Sequence, residues 1–264
     1  MKVGIYTTVA VEAAFKAGEI LKKYYRKSFE YHYKGYRNPV TQADIESQEE
    51  IKRIIKSNFK NHRILAEEDW NEGKVDFDGF WWIIDPLDGT VNFRKGFPFF
   101  CVSIALAKDQ EILLGVIYLP ILDELFLAEK GQGSYFNDRK ISVSNVDTLE
   151  KSVLATGFSY ALVNNPDPHI ELFKNLSVKT EAIRRAGSAA IDLAYTAMGV
   201  FDGFWEFDLK PWDTAAGVIL VKEANGKVSD YYGNEFSLWS KTIVASNGKI
   251  HDQIINHTKE VKIE

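Results

Sequence analysis

Apolar residues recur at helical spacing in several parts of the chain. In residues 7–27 they form a single stripe made of Val9, Ala10, Ala13, Ala14, Ala17, Leu21 and Tyr24. Further helices are predicted at residues 45–59, 187–198, 213–224 and 250–259. Gly199 and Gly226 follow two of these segments, at positions where glycines commonly end helices.

Short apolar runs bounded by polar residues predict strands at 63–66, 80–84, 101–107, 112–118, 125–128, 141–143, 152–156, 181–184, 201–207 and 242–245. Residues 108–111 join two of these runs as a hairpin would. Residues 28–43 alternate aromatic and polar residues about Gly35, which predicts a short hairpin or a mobile loop. Strands joined by hairpins rather than by strict βαβ alternation predict the α+β class, with layered helices and mainly antiparallel sheets.

We expect residues 1–264 to form a single unit, with a soft internal division near residues 145–151 that separates 1–147 from 148–264. Hydrophobic residues make up 45% of the chain and charged residues 26%, which excludes a disordered protein. The 32 basic and 37 acidic residues give a net charge of −5. No bulk attraction to nucleic acid or to an anionic membrane is therefore expected.

Apolar runs and cysteine usage narrow the class further. No apolar run approaches the roughly 20 residues that span a bilayer, so we expect no membrane segment. Cys101 is the single cysteine, which excludes a disulfide framework and fits a reducing cytoplasm, the expected location. It lies in the apolar stretch 99–102 and is predicted to be a core residue rather than a nucleophile. The five histidines show no metal-ligand spacing, and we expect His251 and His257 to be exposed on the last helix.

The most informative segment is 82–93, where an apolar strand leads into Asp85 and Asp88, then Gly89 and Thr90. Two carboxylates without a basic neighbour in sequence repel each other, so a divalent cation is the natural counter-charge. A solvated Asp-Pro-x-Asp-Gly turn is the structural alternative.

Three more segments place acids at the ends of elements. Glu67 and Glu68 follow a predicted strand, Asp213 opens a helix, and Thr41 with Asp44 resembles a helix capping box. Singly, each has a structural explanation, and Glu68 is predicted to face solvent. Together they indicate a cluster of carboxylates and hydroxyls, which favours metal-assisted chemistry over a glycosidase with paired carboxylates.

At this point the chain resembles the inositol monophosphatase family. The resemblance covers nearly the whole length, and its motifs are residues 38–44, 65–68, 85–93, 187–190, 202–206 and 209–217. It implies a layered αβαβα sandwich of the inositol monophosphatase / fructose-1,6-bisphosphatase type, and a homodimer. One departure is Asn38, where many relatives carry Asp.

The resemblance also implies a metal site in the first half, 1–147. Glu67, Asp85 and the carbonyl of Leu87 would hold one Mg²⁺, and Asp85, Asp88 and Asp213 a second, with two or three ions in all and Mn²⁺ as a substitute. Thr90 and Glu67, with Asp44 behind Thr90, would orient the attacking water. The hairpin at 28–43, carrying Lys34 and Arg37, is predicted to close over the metals.

Substrate recognition is expected mainly from residues 148–264. The Gly89 and Thr90 N–H groups would contact phosphate, while Glu206, Asp88 and Asp213 would contact ring hydroxyls. Gly187, Ser188 and Ala189 would offer backbone groups. Arg184 is the candidate basic contact, with Arg185 as its competitor.

The resemblance therefore predicts a Mg²⁺-dependent, lithium-sensitive phosphomonoesterase acting on inositol 1-phosphate or a related small phosphorylated polyol or sugar. The alternatives are a fructose-1,6-bisphosphatase, a 3′-phosphoadenosine phosphatase, or a partner-binding regulatory protein on the same fold.

Overall fold

The computed structural model describes residues 4–28, 30–35, 38–71, 73–159, 162 and 165–261. Within these ranges the helices are α1 (Ile5–Tyr24), α2 (Gln42–Asn58), α3 (Thr90–Lys95), α4 (Asp167–Ser177), α5 (Ala189–Ala197), α6 (Pro211–Glu223) and α7 (His251–Thr258). None of them is both long and apolar enough to span a bilayer.

The strands form three sheets. A hairpin pairs β1 (Tyr31–Gly35) with β2 (Asn38–Thr41). A seven-stranded sheet has the order β3 (Arg63–Ala66), β4 (Phe80–Asp88), β5 (Cys101–Lys108), β6 (Glu111–Leu119), β7 (Glu124–Glu129), β8 (Gly133–Phe136) and β9 (Arg139–Ile141). A five-stranded sheet has the order β11 (Ala182–Arg184), β10 (Val153–Thr156), β12 (Gly203–Phe207), β14 (Thr242–Ser246) and β13 (Lys227–Ser229). Parallel pairing occurs at β3–β4, β10–β11 and β10–β12, and the other pairs are antiparallel.

These elements stack as five layers, which confirms the predicted αβαβα sandwich. Helices α1 and α2 cover one face of the seven-stranded sheet, and α5 and α6 lie between the two sheets. Helices α4 and α7 pack together, and α7 covers the outer face of the five-stranded sheet. Three buried apolar clusters hold the layers together, because each helix and each sheet face must bury its apolar side against a neighbour.

The structure corrects several predicted boundaries. Helix α4 was not predicted, because it begins within a loop-like sequence, with Pro166 as its N-cap and Asp167 and Pro168 as its first two residues. The short strands β8 and β13 were also missed. The strand predicted at 141–143 is shifted: β9 ends at Ile141, and Val143 donates its N–H to the carbonyl of Ala224 after α6. The hairpin predicted at 28–43 is confirmed as β1–β2, although Arg37 and the side chain of Asn38 lie outside the described residues.

The prediction that the α7 histidines are exposed is wrong for His251, which is fully buried. Its Nε2 lies 2.9 Å from Ser229 Oγ and its Nδ1 lies 2.9 Å from Ser246 Oγ, so β13 and β14 each supply a hydroxyl partner. Burial first, and then the nearby Lys227, lowers the pKa of His251 to about 4. His257, on the same helix, is half-buried.

The two halves of the chain are joined by a polar network around Asp202. Its carboxylate accepts hydrogen bonds from Ser144 Oγ at 2.5 Å and from the Val153 N–H at 2.7 Å. Asn247 donates to Ser144 Oγ and to the Val146 carbonyl. The stretch before residue 148 is thus fastened to the second half, and the soft division near 145–151 stays a prediction.

Candidate active site

The candidate site forms where two parallel strands end at the same edge of the seven-stranded sheet. Strand β4 is buried through Trp82, Ile83 and Ile84 before it reaches Asp85. Strand β3 lies parallel to it, with Ala66 opposite Ile84, so Glu67 emerges beside Asp85. The apolar pattern of both strands therefore fixes the position of the first two acids.

The segment after Asp85 turns sharply. Pairing with β5 shifts between Asp85 and Asp88, and Asp85 Oδ1 accepts the Leu87 N–H at 2.9 Å. Gly89 has φ +92°, and a Cβ there would lie 3.0 Å from the Phe99 carbonyl, so glycine is required at this position. Helix α3 then begins at Thr90.

Thr90 connects the turn to helix α2. Its Oγ1 lies 3.1 Å from the Leu87 carbonyl and 3.3 Å from Asp44 Oδ1. Asp44 also accepts the N–H and the hydroxyl of Thr41, at 2.8 and 2.5 Å, which confirms the predicted capping box. Burial raises the pKa of Asp44 to about 6, although the Thr41 hydrogen bonds oppose the shift.

Asp213 reaches the cluster from the layer between the sheets. It occupies the first turn of α6, and its Oδ2 accepts the Lys210 N–H at 2.6 Å. Burial, Asp88 and Glu67 raise the pKa of Asp213 well above its ordinary value. The same causes, burial first and then Glu67, Asp88 and Asp213, raise the pKa of Asp85. These shifts show that the acids are close enough to repel one another.

Asp88 spans the two halves of the chain. Its Oδ2 accepts Ser188 Oγ at 2.7 Å and the Ala190 N–H at 2.8 Å, at the start of α5. Ser188 is also the N-cap of that helix, since its hydroxyl accepts the Ile191 N–H. Burial raises the pKa of Asp88 to about 6 against these hydrogen bonds. The predicted substrate segment 187–189 thus lies beside Asp88, with Ala189 buried as the first residue of α5.

Glu206, on β12, is buried on the second-half side of the cluster. A Cβ at Gly157 would lie only 2.2 Å from its carboxylate oxygens, so Gly157 leaves the space that this side chain occupies. Burial first, and then Asp88, raises the pKa of Glu206 to about 8, against the opposing charge of Arg185.

The structure distinguishes the two candidate arginines. Both are exposed, but Arg184 Nη1 donates to the adjacent Ile183 carbonyl. Arg185 lies close enough to Glu206 to affect its pKa, and a Cβ at Gly187 would be 3.2 Å from Arg185 Nη1. The charges therefore favour Arg185 as the basic contact, while the role predicted for Arg184 stays a prediction.

Lys34, at the hairpin, reaches into the acidic cluster. Its Nζ lies 2.8 Å from Glu67 Oε1 and 2.8 Å from both carboxylate oxygens of Glu68. Burial lowers the pKa of Lys34, but the two glutamates more than offset this, so its pKa is raised. The prediction that Glu68 faces solvent is wrong, because its side chain is only 7% exposed and pairs with Lys34.

Sequence reasoning missed one acid, Asp192 of α5. It is 1% exposed, and its Oδ1 has no hydrogen-bond partner in the described ranges. Burial, Glu206 and Asp88 raise its pKa well above the ordinary value. An acid within the otherwise apolar sequence 189–197 was the available signal, since unpaired acids are rarely buried.

The donor set fits a hard cation. The groups in the cluster are carboxylates and the Leu87 carbonyl, which are oxygen donors suited to Mg²⁺ or Mn²⁺. Burial, and then the neighbouring acids, raises the pKa values of Asp85 and Asp213, as expected for like charges buried close together. As the side chains lie among the described residues, no group of three or more His, Cys, Asp or Glu side chains is arranged to hold a metal ion. The acids are instead held by hydrogen bonds from Leu87, Ser188 and Lys210.

Comparison with known proteins decides the family. The family model described as "Inositol monophosphatase family" matches residues 5–262. The chain belongs to the inositol monophosphatase family. It is 42% identical to the inositol-1-monophosphatase of Synechocystis sp. over 93% of this chain and 86% of that protein. It is 37% identical to the "Fructose-1,6-bisphosphatase/inositol-1-monophosphatase" of Aquifex aeolicus, over 97% and 96%.

A solved structure agrees with these relatives. The inositol monophosphatase from Anabaena (Nostoc) sp. superposes with a TM-score of 0.88, at 41% identity, over 97% of this chain and 96% of that one. This inositol monophosphatase family member is therefore a phosphatase, as the sequence motifs predicted. The family is metal-dependent, in keeping with the oxygen donors described above.

Proposed function

We propose that this protein is a Mg²⁺-dependent phosphomonoesterase that hydrolyses inositol 1-phosphate or a related small phosphorylated polyol or sugar. The observation that carries the proposal is that Asp85, Asp88 and Asp213 are buried beside one another and beside Glu67, so that burial first, and then the neighbouring acids, raises their pKa values. A bound divalent cation would neutralise the repulsion among these carboxylates, and carboxylate oxygens are the ligands that hard cations prefer.

In this proposal two or three Mg²⁺ ions are held by acids from both halves of the chain. Glu67, Asp85 and the Leu87 carbonyl would form one site, and Asp85, Asp88 and Asp213 the other. Bound there, the metal supplies Lewis acidity and neutralises charge on the phosphate ester. The hydrogen bonds to Asp85, Asp88 and Asp213 orient these ligands, as partners of metal ligands commonly do.

Thr90 would position the attacking water. Its single hydroxyl hydrogen has two acceptors nearby, the Leu87 carbonyl and Asp44. Since it can donate to only one of them, its oxygen lone pairs remain able to accept a hydrogen bond from water. Asp44, fixed by two donors from Thr41, holds the Thr90 hydroxyl in orientation, while Glu67 would accept the proton from the water.

Substrate contacts would come from both sides of the cluster. The Gly89 and Thr90 N–H groups at the sharp turn would contact phosphate oxygens. Glu206 would accept a ring hydroxyl, together with Asp88 and Asp213, from the side of the five-stranded sheet. Arg185 carries the positive charge that the described contacts place near Glu206, which supports it as the basic residue of this side.

The test is phosphate release from inositol 1-phosphate, fructose 1,6-bisphosphate and 3′-phosphoadenosine 5′-phosphate with Mg²⁺. EDTA and Asp85→Asn are the negative controls, and Asp252→Asn, an exposed acid on α7, is the matched control. We expect release from inositol 1-phosphate that is lost with EDTA and with Asp85→Asn but retained with Asp252→Asn. Turnover that survives EDTA would contradict the metal assignment.

The second candidate substrate is fructose 1,6-bisphosphate. It is favoured by the similarity over nearly the whole chain to the Aquifex aeolicus protein, whose name includes both activities. A higher kcat/KM for fructose 1,6-bisphosphate than for inositol 1-phosphate in the same panel would select it.

The proposal extends to a homodimer and to inhibition by lithium, both carried over from the family. Sedimentation velocity tests the first, and a LiCl titration at saturating Mg²⁺ tests the second. A monomer at micromolar concentration, or turnover indifferent to LiCl, would remove the respective part without touching the phosphatase assignment.

A further inference from the structure

The β1–β2 hairpin needs an anchor that its own strands do not provide. Among the described strands, β1 and β2 pair only with each other, so no larger sheet fixes their position. Yet the hairpin carries Lys34 to Glu67 and Glu68, and its last residue, Thr41, orients Asp44. A small displacement of the hairpin would therefore disturb both ends of the site.

Arg94 of α3 supplies this anchor. Its guanidinium carbon lies 4.6 Å from the ring centroid of Tyr31 and 5.7 Å from that of Tyr33. Its Nη1 donates to the Tyr33 hydroxyl at 3.1 Å, and the two tyrosine rings meet edge to face at 5.8 Å. Its Nε is buried without an acceptor in the described part of the chain, as expected for a guanidinium covered by aromatic faces.

Helix α3, which carries Arg94, is itself held in place by hydrogen bonds to other parts of the chain. At its C-terminal end the Gly96 carbonyl accepts hydrogen bonds from the Tyr25 hydroxyl at 2.7 Å and from Arg26 at 3.1 and 3.2 Å. In its middle, Asn92 donates to the Phe99 and Ala186 carbonyls. Arg94 lies four residues after Thr90, so both side chains project from the same side of the helix.

We propose that Arg94 is a positioning residue for the reaction, which acts by clamping Tyr31 and Tyr33 so that the hairpin stays in register with the helix that carries Thr90. The inference rests on the proposed function for its catalytic consequence, while the contact between Arg94 and the two tyrosines stands independently of it. A misplaced catalytic group can cost up to about a hundredfold in rate, so a loosened hairpin should lower kcat more than it alters KM.

The test compares Arg94→Met, Arg94→Lys, Tyr33→Phe and the control Lys95→Met, which removes an exposed charge from the next position on α3. The first readout is amide hydrogen exchange of residues 31–41 in metal-free protein. We expect Arg94→Met to speed exchange there about five- to tenfold, with β4–β6 unchanged, and Lys95→Met to have no effect. Arg94→Lys should restore part of the protection, because it keeps a cation but loses the planar fork.

The second readout is steady-state turnover. We expect Arg94→Met to lower kcat about tenfold with KM changed less than twofold, and Tyr33→Phe to lower kcat by a smaller factor. If Arg94→Met does not fold, the double variant Tyr31→Leu/Tyr33→Leu, at two half-exposed positions, tests the same contact from the other side.

Unchanged exchange and unchanged kcat in Arg94→Met would overturn the proposal. Faster exchange with unchanged kcat would overturn its catalytic part. If the wild-type protein releases no phosphate, the proposed function fails, whereas the exchange measurement still decides whether the clamp exists.

Discussion

His251 and Asp85 are both buried polar side chains, and their surroundings are opposite. Each ring nitrogen of His251 lies 2.9 Å from a serine hydroxyl, contributed by Ser229 and Ser246. Asp85 has a backbone donor in Leu87, and its pKa is raised by burial and then by three further acids: Glu67, Asp88 and Asp213. Satisfied hydrogen bonds stabilise the first region, whereas uncompensated like charge destabilises the second until a cation binds.

The two regions should therefore respond to pH in opposite directions. The pKa of His251 is about 4 in the folded protein, below its unfolded value of 6.5, so the unfolded chain takes up the proton first and stability is lost as pH falls from 6.5 to 4. The pKa of Glu206 is about 8, above its ordinary 4.5, so the metal-free protein loses stability as pH rises from 4.5 through 8.

The largest expected effect separates activity from stability at Asp85. Asp85→Asn removes an acid assigned to both proposed metal sites, so phosphate release should fall at least about a thousandfold. The same change removes a buried carboxyl that repels its neighbours whenever it is ionised, so the variant should melt no lower than the wild type in EDTA. Phosphate release with Mg²⁺ and calorimetry in EDTA measure the two effects on one preparation.

The response of the melting temperature to Mg²⁺ provides a control for the Asp85→Asn experiment. Mg²⁺ should raise the melting temperature of the wild type, because it binds the folded acids, and should have much less effect on Asp85→Asn. A variant that melts well below the wild type in EDTA would contradict the view that like charge dominates at this position.

The next effect concerns Thr90, which lies between the Leu87 carbonyl and Asp44. Thr90→Ala removes the hydroxyl that would position water, so kcat should fall about a hundredfold with a much smaller change in KM. Thr90→Ser keeps the hydroxyl and is the matched control. A change confined to KM would make Thr90 a substrate-binding residue instead.

Features that depend on the local pattern of apolar and polar residues could be predicted from the sequence. Strands β4, β5 and β6 are continuous apolar runs, and the motif acids stand at element ends, so their gathering at one sheet edge could be predicted. The αβαβα sandwich came from the family resemblance rather than from periodicity. The local pattern did not predict α4, because prolines at the start of this helix are also typical of loops.

Contacts between distant segments account for the remaining differences. His251 is buried because β13 and β14 bring Ser229 and Ser246 to it, and neither pairing is visible in the sequence near residue 251. Glu68 is covered because Lys34 arrives from a hairpin more than thirty residues earlier. Burial of a polar group depends on which distant partner reaches it, and one sequence alone does not encode that choice locally.

The next effect concerns His251, whose two ring nitrogens both have hydroxyl partners. His251→Ala leaves two buried serine hydroxyls without their ring partner, which should cost about 2–4 kcal/mol of unfolding free energy. It should also flatten the loss of stability between pH 6.5 and 4, since the titrating group is gone. Urea unfolding at several pH values measures both, with the half-buried His257→Ala as the control. An unaltered pH slope would show that His251 does not set it.

The last expected effect, which is on stability alone and appears only at high pH, lies at Glu206, near the acids of the candidate site. Below about pH 8 this buried carboxyl is mostly protonated in the metal-free protein, so Glu206→Gln replaces it with a neutral group of similar size beside Gly157. At pH 5 the variant should therefore match the wild type. Between pH 4.5 and 8 the unfolded chain is ionised while the folded carboxyl keeps its proton, so the wild type loses stability that the variant, which does not titrate, retains. At pH 9 the variant should therefore be the more stable protein, by up to about 4 kcal/mol. Calorimetry in EDTA at both pH values measures this difference. A variant that is less stable than the wild type at pH 9 would contradict the prediction. It would mean that a positive charge stabilises the ionised Glu206 carboxylate, and Arg185 is the available partner.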